Sequence, residues 1–451
     1  MQEITARLSR YVAELKYEDL PDSVVEQTKL FIADYFAACF AGYRINKPLN
    51  DVMLPLLLEM GGKSESTVLF SEEKLPAANS AFMNAIYAHG ADMDDGNRKS
   101  AGHIGAHVMS AVFALAEVLN STWGEVITAI VAGYDIFNRV AGAAQPDLYN
   151  KGFHSTGVGG SLACAAACAK LLKLDSEGVY NAISLSAIQS SGLIIIDESG
   201  QCCKPLNPAN GARTGLLSAK LAQAGLVSSK NPLESKKGWF NAFGNEIDQE
   251  TLFDGLGEVF TISESYLKLY PACRHTHCCI DGALKLRSCM LKEGIELSDI
   301  KKVTITIYPS AIKSAGNILY PKTADEAKFS IHYAVAVALN KGSFGLEELN
   351  VASCQTANEI IPKIELVPDS TLENRKAGVR GAKLHIKTSK GIFEETVLIP
   401  KGEAKKPLLW DDIKIKLRQC AGDLCDFDVQ NSTLEELKTL EPHSSFSMLF
   451  K

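Results

Sequence analysis

The stretch Leu20-Pro-Asp-Ser-Val-Val-Glu-Gln-Thr-Lys-Leu-Phe-Ile-Ala-Asp-Tyr-Phe-Ala-Ala-Cys-Phe-Ala-Gly decides the fold class. Pro21 and Asp22 supply a helix start, apolar residues follow at helical spacing, and Gly42 supplies a stop. The same pattern recurs in Ala77 to Gly90, Ala106 to Leu119, Trp123 to Ala143, Gly159 to Leu172, Ser176 to Ser190 and Asn210 to Ala224. Several of these segments are apolar on nearly every face and rich in Ala, Gly and Ser, which suits central helices of a bundle whose backbones approach closely. From Ile4 to about Leu252 the chain therefore reads as helical.

After Tyr270 the period changes. Lys302-Val-Thr-Ile-Thr-Ile-Tyr-Pro alternates with period two, as do Ala382-Lys-Leu-His-Ile-Lys-Thr and Gly391-Ile-Phe-Glu-Glu-Thr-Val-Leu-Ile-Pro, and the last two flank Ser389-Lys390-Gly391 as a hairpin. Helical stretches at Ala327 to Asn340 and Leu346 to Asn358 lie between them, and Asp411 to Cys420 and Ser432 to Leu440 turn helical again. The expected architecture is mainly α: a large all-helical domain, residues 1–267 completed by 401–451, with a smaller α+β lid domain at 268–400. A length of 451 residues exceeds one ordinary core and agrees with two domains.

Composition narrows the function classes. With 46% hydrophobic and 22% charged residues the chain reads as a soluble globular protein. Its start lacks the sections of a secretory signal, and Gly133, Asp135 and Arg139 interrupt the apolar run from Val126 to Val131 short of the roughly 20 residues a bilayer requires, so a cytoplasmic location with no membrane span is expected. Twelve irregularly spaced cysteines, none in a C-x-x-C pair, read as reduced thiols and disfavour an iron–sulfur mechanism. A net charge of −7 argues against a nucleic-acid partner, while still allowing anions to bind where cations gather.

Six of the nine histidines fall in three short segments, and histidine is the side chain best suited to proton transfer near neutral pH. In the first, His89, His103 and His107 flank Ala91-Asp-Met-Asp-Asp-Gly-Asn-Arg-Lys-Ser-Ala-Gly-His. Its aspartates could cap a helix and close a turn at Gly96, or hold a histidine in one tautomer, with Asp92 and His103 as the candidate pair; its spacing fits no recognised metal-ligand pattern. In the second, His154-Ser-Thr-Gly-Val-Gly-Gly-Ser enters a small-residue helix whose exposed N–H groups could take an anion, although Ser155 or Thr156 could equally be an ordinary N-cap. In the third, Lys268 and Arg274 accompany Tyr270-Pro-Ala-Cys-Arg-His-Thr-His at the inferred domain boundary, where an arginine can clamp a carboxylate. A fourth segment, Cys202-Cys-Lys-Pro-Leu-Asn-Pro, presents Lys204 on a loop whose prolines are expected to leave the helix, suited to stabilising developing negative charge.

Taken together and in order, these segments resemble the MmgE/PrpD family, which includes 2-methylcitrate dehydratase, cis-aconitate decarboxylase and iminodisuccinate epimerase. Further matching text is Gly133-Tyr-Asp, Tyr149-Asn-Lys-Gly-Phe-His-Ser-Thr-Gly, Ser190-Ser-Gly-Leu and Ala327-Lys-Phe-Ser-Ile-His-Tyr-Ala-Val-Ala. The resemblance implies a helical domain with an α+β lid, a homodimer, an active site in the interdomain cleft, a small polycarboxylate substrate, and neither a metal nor an organic cofactor. Carried across by matching motif, the family's active-site positions fall on Asp92, His103, His154, Lys204, Lys268 and His277, with Tyr149, Arg274 and Tyr320 as substrate contacts. Where dehydratase and decarboxylase members usually carry Thr or Ser after the Asp pair, this chain has Gly96, and Arg98 two residues on is a candidate carboxylate contact; His103-Ile104 stands for the usual His-Pro.

The chemistry shared by such reactions is a change of charge beside a carboxylate, which calls for clustered cations and a placed base. The expected assignment has Lys204, Lys268 and Arg274 holding carboxylates, His154 or Tyr149 as base, and His103 as acid. The leading expectation is a lyase of the 2-methylcitrate dehydratase type; epimerase or isomerase, decarboxylase, and non-catalytic carboxylate binding are the alternatives. Retention of all three histidine segments argues against the last, since anion binding needs cations but no proton carriers.

Overall fold

The computed structural model describes residues 3–195, 202–374 and 379–450. Helix accounts for 58% and strand for 10%, so the architecture is mainly α with small sheets only. The principal helices of the first part are α1 (Ile4–Glu14), α2 (Asp22–Ile45), α3 (Ala77–Gly90), α4 (Gly105–Leu119), α5 (Trp123–Ala143), α6 (Gly160–Leu171), α7 (Ser176–Ala187) and α8 (Leu206–Gln223). At its centre α8 packs on α6 and α3, α3 on α2 and α4, and α5 on α6. Alanine and glycine at the contacts permit this density: every residue of α4 from Gly105 to Ala116 is buried.

Two helix ends differ from expectation. Gly42 does not stop α2; a Cβ there would fall 1.9 Å from the Tyr87 carbonyl oxygen and 3.1 Å from the Gly90 Cα, so the glycine marks a close crossing of α2 and α3. Helix α8 starts at Leu206, and Pro208 lies in its first turn, where no N–H is required; the prolines open this helix instead of leaving it. α5 has the length and apolar composition of a membrane span, but its apolar window is wholly buried in protein. Within it, Arg139 Nη1 and Nη2 donate to the carbonyls of Leu252, Asp254, Gly255 and Val259, and Asp135 accepts from Thr261, so these groups find partners inside the protein as in a core helix.

In the second part β1 (Ile300–Ile307), β2 (Ile364–Pro368), β3 (Ala382–Thr388) and β4 (Ile392–Val397) form one sheet in the order β2-β1-β3-β4. β1 and β2 are parallel, and the remaining pairs are antiparallel. The alternation in β1 buries Val303, Ile305 and Ile307, and that in β3 buries Ala382, Leu384 and Ile386; α9 (His277–Lys292) packs on β3 and β4. α10 (Ile331–Lys341) packs beside α9. The stretch expected as helix from Leu346 is a 3₁₀ segment, Val351–Glu359, broken at Cys354. The tail returns as α11 (Trp410–Ala421) and α12 (Phe427–Lys438), both against α2. Buried Lys416 of α11 donates to Asp34 of α2 at 2.6 Å and to the Met93 carbonyl at 2.8 Å, tying the tail to the turn that follows α3.

Candidate active site

That turn carries three aspartates, and each has a different fate. Asp92 has φ +52°, a left-handed conformation that Asp tolerates better than most residues. Its carboxylate lies 2.7 Å from the Lys204 ammonium and 3.3 Å from that of Lys268, which also donates to the Asp92 carbonyl at 2.7 Å. Burial alone would raise the Asp92 carboxyl, but Lys204 and Lys268 outweigh it and hold the group well below the usual range. Burial in turn pulls the Lys268 ammonium down from its ordinary value, with Asp92 opposing. Asp94 accepts from His89 Nδ1 at 2.8 Å and lies 3.4 Å from His103 Nδ1. Only Asp95 behaves as the expected helix-capping group: it accepts from the Gly105 N–H at 2.8 Å, at the start of α4, and from the Tyr134 hydroxyl at 2.7 Å. Burial, with Asp94 adding to it, pushes the Asp95 carboxyl up to about 7.

The histidines separate by their partners. His103 Nδ1–H donates to the Asp95 carbonyl at 2.8 Å, which leaves the Nε2 lone pair of the neutral ring available. The group that orients His103 is therefore this main-chain oxygen; the expected partner, Asp92, stands 3.7 Å from Nε2. His154 is the reverse. Asn207 donates from its amide nitrogen to the Leu193 carbonyl at 3.1 Å and to His154 Nδ1 at 2.9 Å, so the neutral His154 carries its proton on Nε2. Burial first, and Lys204 next, keep His154 well below its ordinary value and hence neutral. Thr156 and Ser155 do not cap their helix; Thr156 Oγ1 accepts the His103 N–H and Ser155 Oγ accepts from Gln145. His107 is a core residue against Phe137, driven down to about 3 by burial.

A second cationic cluster is built around Glu403. Its Oε1 accepts from Arg98 Nη2 at 2.7 Å and from Arg274 Nη2 and Nε at 2.8 and 3.0 Å. Burial would raise the Glu403 carboxyl, but Arg274 and Arg98 hold it below the ordinary range. Both guanidiniums lie over the Tyr266 ring, at 5.2 Å for Arg98 and 4.6 Å for Arg274. Gly402 seats the glutamate: its φ is +95° and a Cβ there would fall 2.0 Å from the Leu267 carbonyl oxygen, so only glycine lets this segment run against the chain before Lys268.

A cavity of about 170 Å³ joins the two clusters, lined by Asp92, His103, His154, Lys204 and Lys268 together with Arg98, Tyr149, Tyr266, Arg274 and His275. This is smaller than the roughly 300–1,000 Å³ of sites for drug-sized ligands. His89, Asp92, Asp94 and His103 also place donor atoms within 4.8 Å of one another. Lys204 and Lys268 already sit on Asp92, so a dication there would face two fixed ammoniums at close range, and the donor set fits a metal poorly.

The MmgE/PrpD N-terminal domain matches residues 6–251, and the MmgE/PrpD C-terminal domain matches residues 270–441. The chain belongs to the MmgE/PrpD family. It is similar to the cis-aconitate decarboxylase of Homo sapiens, 26% identical over 470 residues that cover 100% of this chain and 94% of that protein. It is also similar to the cis-aconitate decarboxylase of Aspergillus terreus, 27% identical over 353 residues covering 74% and 71% of the two chains. The cis-aconitate decarboxylase-like protein of Aspergillus oryzae is 25% identical over 457 residues, 96% of this chain and 94% of that protein.

In this MmgE/PrpD chain, Asp92, His103, His154, Lys204, Lys268, Arg98, Tyr149 and Arg274 converge on the one cavity. Two expected residues stand apart. His277 is fully buried behind the wall: Arg274 Nη1 donates to its Nδ1 at 2.9 Å and its Nε2 faces the Ala272 carbonyl at 3.2 Å, so it buttresses Arg274 while His275 lines the cavity. Tyr320 is half exposed and, among the described residues, lies outside the wall. Sequence reasoning missed Tyr266, His275, Asn207 and Glu403; proximity to Lys268 and Arg274 was the one available signal for the first two.

Proposed function

We propose that this MmgE/PrpD chain is a lyase acting on a small polycarboxylic acid, by proton transfer at carbon next to a carboxylate. The observation that carries the reading is the pair of opposite tautomers in one wall: His103 with a free Nε2 lone pair and His154 with an Nε2–H, beside two lysine ammoniums. The roles then differ from the expected assignment, which had His154 or Tyr149 as base and His103 as acid. His103 is the proton carrier. His154, a neutral imidazole, is a hydrogen-bond donor to the oxygen on which charge builds, a task that does not require it to ionise. Lys204 and Lys268 stabilise the same enediolate-like charge.

Two finer reactions use this arrangement. In dehydration His103 takes the proton from carbon, the electron pair forms the double bond, and the leaving hydroxyl departs as water with the proton that His103 returns. In decarboxylation His103 Nε2 first takes a proton from solvent; the carbon–carboxylate bond then breaks, carbon dioxide leaves, and His103 delivers that proton to the carbon that keeps the electron pair. Dehydration is the reading of the motifs; the names of the relatives favour decarboxylation. Incubation with citrate, 2-methylcitrate and cis-aconitate in heavy water, followed by proton NMR and carbon dioxide release, separates them. Either a new unsaturated acid or released carbon dioxide is expected, and His103→Ala should lower kcat by roughly 10²–10⁴. Full turnover by folded His103→Ala and His154→Ala would overturn the proposal, and deuterium entering recovered substrate without a new product would replace it with an isomerase.

A further inference from the structure

We propose that Arg98, steadied by Glu403 and Tyr266, selects substrates that carry a second carboxylate, by binding a carboxylate other than the one beside the reacting carbon. This rests on the lyase reading only for which carboxylate reacts. Arg98 is nine-tenths buried, with its side chain 10% exposed, and it lines the cavity. Its Nη2 is held by Glu403, but its Nε and Nη1 are buried with no hydrogen-bond partner among the described residues. Buried guanidinium donors without partners are costly unless a ligand meets them.

Charge balance points to the same place. Around Asp92, two ammoniums pair with the Asp92 carboxylate, and the second negative charge of Asp94, held between His89 and His103, lies close enough to act on Lys268. Around Glu403, two guanidiniums share a single carboxylate, which among the described residues leaves one buried positive charge uncompensated. Of the two, Arg274 has its Nε and Nη2 on Glu403, Nη2 also on the Lys401 carbonyl, and Nη1 on His277. Arg98 is therefore the one with donors to give. The Tyr266 ring lies 5.2 Å from the Arg98 guanidinium carbon and supports it from one side, and the planar fork of a guanidinium suits a flat oxyanion such as a carboxylate.

Calorimetric titration of the whole protein with tricarballylate, butyrate and inorganic phosphate tests this. Wild type should bind tricarballylate at least roughly 10-fold more tightly than butyrate or phosphate, Arg98→Met should lose roughly 10- to 100-fold for tricarballylate with butyrate unchanged, and Arg98→Lys should fall between. Far-UV circular dichroism checks folding, and Arg98→Lys alone carries the test if Arg98→Met fails to fold. Undiminished tricarballylate affinity in a folded variant, phosphate binding as tightly as tricarballylate, or no tricarballylate binding by wild type would overturn it. Selective binding through Arg98 with no turnover of any polycarboxylate would uphold this inference and refute the lyase reading alone.

Discussion

Glu403→Gln removes the one counter-charge that the described residues place between Arg98 and Arg274. The wild-type oxygen accepts hydrogen bonds at 2.7, 2.8 and 3.0 Å from two guanidiniums, and the residue is 6% exposed. Glutamine keeps the shape and an acceptor oxygen but carries no charge, so two buried cations are left against each other. Breaking a buried ion pair in this way costs about 3–5 kcal/mol, and the retained acceptor puts the expectation near the lower end. The pH dependence follows from the depressed Glu403 carboxyl. Its contribution is fully present above its unfolded value of about 4.5 and is lost as pH falls through the lower folded value. The gap between wild type and variant should therefore be widest at neutral pH and narrow below about pH 4. Urea denaturation at pH 7 and at pH 3 measures it, and substrate kinetics at pH 7 should show KM raised more than kcat is lowered, because Arg98 loses its anchor. A stability loss within about 0.5 kcal/mol at pH 7, as for an ordinary surface change, or a gap that does not shrink in acid, would refute the reasoning.

The same turn supplies two further predictions. Asp95 has its carboxyl raised from 3.8 to about 7, so the folded protein takes up a proton between those values and this residue's contribution to stability falls as pH rises from about 4 to 7. Asp95→Asn keeps an acceptor for the Gly105 N–H and removes that titration; the variant should match or exceed wild type in thermal stability at pH 8 and lose the advantage at pH 5, and a variant less stable at both would contradict the assignment. Gly96→Ala would set a Cβ 2.4 Å from the Tyr266 hydroxyl, whose ring cannot swing away without displacing Arg98 and Arg274. A loss of about 1–3 kcal/mol with raised KM is expected, and unchanged kinetics would show that the Tyr266 ring does not support the arginines.

How much of this was legible in the sequence depends on where each property resides. Helix positions were readable because apolar periodicity is a property of each segment by itself, whereas the Gly42 crossing depends on Tyr87 and Gly90, which no local pattern discloses. The scarcity of histidine exposed His103 and His154 as candidates, and both line the cavity. In the Arg274–Thr276 turn, by contrast, nothing in the spelling of Arg-His-Thr-His tells which histidine faces outward; the winding of a single 3₁₀ turn puts His275 in the wall and His277 behind it. Glu403 sits in Lys401-Gly-Glu-Ala-Lys-Lys, which reads as a solvated charged turn until the contact between Gly402 and Leu267 brings it against two arginines. The deepest limit is chemical. Whether a histidine accepts or donates a proton is set by what its other nitrogen touches, and here those groups are the carbonyl of Asp95 and the amide of Asn207. A main-chain carbonyl has no signature in a sequence, and an asparagine amide acquires one only when a second acceptor, the Leu193 carbonyl, fixes which way it points. Residue identity can therefore nominate the proton-handling groups of such a site, but the division of labour between them becomes readable only when the groups behind the rings are known.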